Sequence, residues 1–179
     1  MTPHLTDIPT LETKRLILRA PEAADFDVLA PFVMSDRATF IGGGADKDLG
    51  HAWRILAILC GQWHLRGFGA FVAVRKDTGQ PIGSMGPWHP EPVPEKELSW
   101  TIWDPKAEGQ GFAFEAMKMI RRHVYGDLGW TGAVSYIDAA NTRSAALATR
   151  LGCVIDAAAK GPNPDDIVYR HPAPAEVLP

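Results

Sequence analysis

Cysteine is scarce in this chain of 179 residues: only Cys60 and Cys153 occur. They lie far apart and lack a nearby Cys/His pattern, so the sequence predicts reduced, buried thiols rather than a disulfide. Histidines, cysteines and carboxylates nowhere cluster at the spacing of metal ligands. We therefore expect no metal site.

Long apolar runs and an excess of one charge are also missing. No stretch approaches the ~20 apolar residues that a bilayer span requires, and Met1 to Thr13 lacks the apolar segment of a secretory signal. These absences predict a cytoplasmic protein with no membrane partner. The net charge of -3 lacks the basic excess that nucleic-acid binding usually leaves, so we expect no nucleic-acid partner either.

What is present is an ordinary globular composition, with 46% hydrophobic and 22% charged residues. The length predicts a single domain, residues 1–179, with a core over about 11–171 and a Pro-rich tail over 172–179. A monomer and a homodimer both remain open.

Apolar periodicity and turn residues predict the order β-α-α-β-β-β-α-β-α-β(-β). Strands are expected over residues 14–20, 68–75, 81–88, 95–103, 131–138, 153–158 and 166–170, and helices over about 22–34, 48–66, 111–125 and 141–151. In the second helix, apolar residues recur at three- and four-residue spacing and form a stripe of Leu49, Trp53, Leu56, Cys60 and Trp63. Three consecutive strands indicate an antiparallel meander, and the later strand-helix-strand alternation indicates parallel pairing. The predicted fold is α/β (α+β): a mixed, mostly antiparallel sheet of six to seven strands with helices on both faces.

The most informative segment is Glu108-Gly109-Gln110-Gly111-Phe112-Ala113. Small residues at 109, 111 and 113 allow a ligand to approach the backbone, and unpaired N–H groups at the helix start suit a phosphate. A loop that merely turns a corner fits the spacing equally well. A dinucleotide-binding oxidoreductase fits poorly, because the third glycine is Phe114 and the preceding strand is half polar. No Gly-Lys-Ser/Thr follows, which excludes a Walker A loop.

Several motifs carry a resemblance to a known family. In chain order they are LETKRLILR at 11–19, FIGG at 40–43, ELSW at 97–100, GQGFAFEA at 109–116, IDAANTRS at 137–144 and LGC at 151–153. Together they resemble the GNAT superfamily of N-acetyltransferases, in the branch typified by ribosomal-protein-alanine N-acetyltransferases. The pyrophosphate pattern Q/R-x-x-G-x-G/A maps onto 108–113. Glu108 departs from it, so we do not count Glu108 as a phosphate ligand.

This resemblance implies acetyl-CoA as the acyl donor and direct transfer to a primary amine: a protein or peptide N-terminus, an amino acid or another small amine. The implied cofactor-binding residues are Trp103, Gly109, Gln110, Gly111, Phe112, Ala113, Phe114 and Asn141. Backbone N–H groups near Trp103 would polarise the acetyl carbonyl.

For the chemistry, the resemblance suggests Glu97 as the general base, although a solvated strand carboxylate is an equal alternative. The helix over 141–151 lacks the tyrosine that many family members use as the acid, which leaves Ser144. Asn141 would bind the pantetheine arm or a water, and it also suits a helix N-cap. An inactive acyl-CoA-binding regulatory protein and an aminoglycoside acetyltransferase remain open as alternatives.

Overall fold

The computed structural model describes residues 7–178. The strands are β1 (Leu11–Glu12), β2 (Leu16–Arg19), β3 (Phe71–Arg75), β4 (Pro81–Trp88), β5 (Glu97–Ile102), β6 (Val134–Asp138), β7 (Val154–Ile155) and β8 (Asp166–Arg170). The helices are α1 (Phe26–Val33), α2 (Leu49–Arg66), α3 (Phe112–Gly126), α4 (Thr142–Arg150) and α5 (Pro174–Val177). Short 3-10 turns cover Ala23–Asp25, Asp36–Ile41 and Pro105–Ala107.

All strands belong to one sheet in the order β1-β2-β3-β4-β5-β6-β8-β7. Every neighbouring pair is antiparallel except β5 and β6, which are parallel because α3 crosses over between them. The predicted fold class is therefore confirmed. The sheet has eight strands rather than six or seven, since the two-residue β1 turns back at Thr13 and pairs with β2.

Helices cover both faces of the sheet, as predicted. One core lies between the sheet and α3, where Leu98 meets the buried residues Met117 and Ile120. The second core packs α1 and α2 against the other face around Val72. Because side chains alternate along a strand, burial of Leu98 towards α3 turns Glu97 to the side of α1 and α2.

The ends of α2 lie at a capping aspartate and a glycine. Asp48 accepts a hydrogen bond from His51 N–H at 2.7 Å and caps the helix, and Gly67 ends it with a φ of 72°. The predicted apolar stripe is confirmed in part. Leu56 and Trp63 are buried and Cys60 is partly buried, whereas Leu49 and Trp53 are exposed. The helix also buries Ala52, Leu59 and Gln62.

The C-terminal segment is more ordered than a tail. After His171 the chain forms α5, and Val177 and Leu178 pack against the α3 core. Over residues 7–178, no helix combines the length and apolarity needed to cross a membrane. Cys60 and Cys153 are not joined by a disulfide.

Candidate active site

The sheet divides between β5 and β6. The two strands form one residue pair, Glu97 with Val134, and beyond it the Ser135 hydroxyl donates to Leu98 O at 2.6 Å. Towards their C-terminal ends the strands diverge. Their facing backbone groups are therefore available to a ligand, in a position where such groups are normally paired.

Two cavities meet at this gap. The one we call the acid cavity has a volume of about 340 Å³, lies on the side of α1 and α2, and includes Glu97 and Asp166 in its lining. The one we call the loop cavity has a volume of about 480 Å³ and is lined by Arg37, Glu108 and Arg143. Six residues line both cavities: Phe40, Ile41, Trp100, Thr101, Asn141 and Ser144. A reaction that joins two substrates can therefore take place where the cavities meet.

Asn141 and Ser144 lie at this junction through the local geometry of α4. The Asn141 side chain caps the helix by accepting a hydrogen bond from Ser144 N–H at 3.2 Å. The indole N–H of Trp100 donates to Ser144 Oγ at 3.3 Å. The hydroxyl proton of Ser144 is consequently left to donate elsewhere.

The glycine loop precedes α3 in a conformation that favours glycine. Gly109 and Gly111 have φ values of 70° and 78°, in the left-handed region. The bond from Glu115 N–H to Gly111 O, at 3.1 Å, opens the helix, so the N–H groups from Gly111 to Phe114 have no intrahelical acceptor. These N–H groups and the helix dipole form a site suited to an anion.

The side chains of this loop do not all serve such a site. The Phe112 side chain is buried in the α3 core, so Phe112 can contact an anion only through its backbone N–H. The Gln110 amide bonds back to Lys106 O, and Arg15 donates to Gln110 O at 3.0 Å. The predicted ligand set thus contributes mainly through its backbone.

Glu108, which departs from the family pattern, is held between two arginines. Arg37 Nε donates to Glu108 Oε1 at 3.0 Å, and Arg143 Nη1 donates to Glu108 Oε2 at 2.6 Å. Arg37 also donates to Ile102 O and Trp103 O, at 3.0 and 2.7 Å. The acid beside the anion site is thereby neutralised, and the chain keeps one net positive charge in this cluster.

The backbone N–H of Trp103 itself is already used within the sheet. Its side chain is buried in the second core, and its N–H donates to Ile82 O at 2.8 Å within the sheet. Because successive residues of a strand direct their backbone groups to opposite neighbours, the N–H groups of Trp100 and Ile102 point away from β4 and into the gap. These two groups, rather than Trp103 N–H, are available as donors.

Glu97 differs from its acidic neighbours in having no basic partner among residues 7–178. Glu91 pairs with Arg66 at 2.6 Å, and Glu95 pairs with Arg170 at 3.0 Å. Loss of hydration raises the pKa of Glu97 to about 8, opposed by a hydrogen bond from the Tyr136 backbone and supported by a smaller upward contribution from the charge of Asp166. A carboxyl group with such a pKa can exchange protons near neutral pH.

Sequence reasoning missed several lining residues. Asp138 and Asp166 both line the acid cavity and stand opposite each other on β6 and β8. Ile55 and Ile58 of α2 form part of its wall. Asp166 comes from a strand that carried no motif, so only the strand register could have revealed it. Within the described part of the chain, no three His, Cys, Asp or Glu residues group as metal ligands.

Comparison with known proteins adds to this geometry. The family model described as "Acetyltransferase (GNAT) domain" matches residues 15–154. The crystal structure of the acetyltransferase from Agrobacterium tumefaciens str. C58 is 37% identical and superposes with a TM-score of 0.85, covering 96% of this chain and 99% of its own. No curated protein sequence matches the chain at a significant level.

More distant structures share the fold. The acetyltransferase (GNAT family) from Bacillus anthracis is 14% identical, with a TM-score of 0.73 and coverage of 93% of this chain and 99% of its own. A ribosomal-protein-S5-alanine acetyltransferase from Vibrio fischeri is 16% identical, with a TM-score of 0.68 and coverage of 96% and 100%. At these identities the likeness concerns the fold alone.

Proposed function

Because the chain belongs to the GNAT acetyltransferase family, we propose that it transfers the acetyl group of acetyl-CoA directly to a primary amine. The observation that carries this proposal is that the two cavities differ in the charged groups that line them. Arg37, Arg143 and Gly109 of the glycine loop line the loop cavity, and the Glu97 carboxyl group lines the acid cavity. A polyanionic donor and a cationic acceptor would thus approach the junction from opposite sides.

The loop fits a pyrophosphate. A side chain at Gly111 would sit in a strained backbone conformation, and the N–H groups from Gly111 to Phe114 converge where a phosphate would lie. Arg143 is exposed at the start of α4 and adds positive charge there. The acetyl-CoA thioester supplies the activated acyl group, and the residues of this loop bind and orient it.

At the junction, the Trp100 and Ile102 N–H groups stabilise the negative charge that develops on the acetyl oxygen. Glu97 takes a proton from the incoming ammonium, directly or through one water. The nitrogen then forms a C–N bond as the C–S bond breaks, and the second proton that the nitrogen loses passes through Ser144 or water to the thiolate. Since a coenzyme A thiolate is a fair leaving group, this last proton transfer needs little assistance.

The first test is calorimetric titration with acetyl-CoA, using Gly111→Trp and a matched control, Gly79→Trp. Both glycines have positive φ, and Gly79 lies in the turn between β3 and β4, away from both cavities. We expect binding by the wild type and by Gly79→Trp, and loss of at least ~100-fold in affinity for Gly111→Trp. Equal affinity in both variants would contradict the donor site.

Catalysis is tested separately by coenzyme A thiol release with a panel of primary amines. We expect release with the wild type and a loss of about 100-fold in Glu97→Gln. Acetyl-CoA binding without thiol release from any amine would instead support an acyl-CoA-binding regulatory protein.

A further inference from the structure

One wall of the acid cavity is apolar. It is formed by α1, α2 and the 3-10 turn over Asp36–Ile41. Its members are Leu29, Phe40, Ile41, Ile55, Ile58 and Leu59. Trp88 and Trp100 add aromatic surface from the sheet side. If the part of the acceptor that fills this space is apolar, binding removes apolar surface of both the acceptor and the protein from water.

The polar end of the cavity carries acids and no counter-charge. Glu97, Asp138 and Asp166 line it, and no Lys, Arg or His among residues 7–178 does. Asp138 and Asp166 face each other across β6 and β8, an arrangement of like charges that destabilises a sheet. A bound ammonium would relieve this repulsion, whereas a carboxylate would add to it.

The mouth of the cavity is also apolar. Phe40, Ile41 and Ile58 are 44%, 40% and 49% exposed, unusually high for large apolar side chains that line a cavity. A polyhydroxylated aminoglycoside or a peptide chain leaving the cavity here would pass side chains that offer its polar groups no partner. The volume of about 340 Å³ is near the lower end for small-molecule sites.

From these three observations we infer that the acceptor is a small amine carried on an apolar, aromatic or aliphatic body that bears no carboxylate. The ammonium lies at the acids and the body lies against α2. This inference rests on the proposed acetyl transfer and narrows its acceptor.

Four candidate substrates test separately the amine, the apolar body, the absence of a carboxylate and the small size. 2-Phenylethylamine has both the amine and the apolar body, phenylalanine adds a carboxylate, ethylamine removes the ring, and Phe-Ala-amide extends the chain. Measured by thiol release, kcat/KM should fall about 100-fold from 2-phenylethylamine to phenylalanine because of like-charge repulsion. It should fall about 30-fold to ethylamine because the ring is no longer buried.

Variants test the same surfaces. Ile58→Lys should lower kcat/KM for 2-phenylethylamine about 10-fold, and Leu65→Lys, on the same helix and outside both cavities, should leave it unchanged. Asp166→Asn should narrow the difference between 2-phenylethylamine and phenylalanine. The inference would be overturned if Ile58→Lys kept the wild-type kcat/KM for 2-phenylethylamine and Asp166→Asn kept the wild-type difference between 2-phenylethylamine and phenylalanine.

The outcomes distinguish this inference from the proposal on which it rests. Thiol release with phenylalanine, Phe-Ala-amide or an aminoglycoside at or above the rate for 2-phenylethylamine would overturn the inference and leave acetyl transfer to amines standing. Absence of thiol release with every amine, from a folded protein that binds acetyl-CoA, would overturn acetyl transfer itself.

Discussion

Replacing Glu97 with glutamine should change how the stability of the protein depends on pH. Burial raises the pKa of Glu97 from its ordinary value of 4.5 to about 8. Between these values the folded chain binds a proton that the unfolded chain releases, so the free energy of unfolding falls as pH rises. The contribution of the neutral carboxyl group is complete below pH 4.5 and is lost once the pH passes about 8.

The size of this effect follows from the pKa difference of about 3.5. At about 1.36 kcal/mol for each pKa unit, the upper bound is about 5 kcal/mol. Glu97 faces the acid cavity, where solvent stabilises the charged form, so we expect about 2 to 4 kcal/mol. That is a large share of the ~5–15 kcal/mol that stabilises a typical domain.

Urea unfolding between pH 5 and 9 measures this directly for the wild type, Glu97→Gln and a control, Glu91→Gln. Glu91 lies on an exposed loop and pairs with Arg66. The wild type and Glu91→Gln should lose stability in parallel as pH rises, and Glu97→Gln should lose less by the amount above. Parallel curves for all three proteins would refute both the raised pKa and the argument for Glu97 as a base tuned to neutral pH.

Three further predictions concern the junction and its supports. Ser135→Ala should lower the free energy of unfolding by about 1–3 kcal/mol, because Leu98 O loses its donor; chemical denaturation measures the loss, and an unchanged midpoint would contradict it. Arg37→Lys should weaken acetyl-CoA binding about 10-fold in calorimetry, because an ammonium cannot reproduce the planar fork that holds Glu108 and two carbonyl oxygens; wild-type affinity would refute this. Ser144→Ala should lower kcat less than about 10-fold, since water can protonate the thiolate, and a loss above 100-fold would make Ser144 an essential acid.

Local chemistry made much of the fold predictable. Strands β4 and β8 have the bounds expected from their flanking turn residues, and Asn141 caps α4 as its position predicted. For α2, the periodicity correctly indicated Leu56 and Trp63 as buried residues but also included Leu49 and Trp53, which are exposed. Two overlapping apolar stripes are present, and packing against the sheet selects the one that contains Ala52 and Leu59.

The site was predictable where a short segment forms it and unpredictable where distant segments meet. The glycine loop and Asn141 each depend on neighbours within a few residues. Arg37 reaches Glu108 across 71 positions, and nothing near Arg37 in the chain indicates this contact. The use of Trp103 N–H inside the sheet depends on strand register, which the alternation of side chains does not specify.

The single residue pair between β5 and β6 has a consequence for hydrogen exchange. It divides the sheet into a part of five strands, β1 to β5, and a part of three strands, β6 to β8, which are joined at the Glu97–Val134 pair. Amides of Trp100 and Ile102, inside a regular strand, should then exchange with solvent at rates typical of loops, while Thr101 between them stays protected by β4. An alternating protection pattern along β5 would identify the residue at which β5 stops pairing with β6.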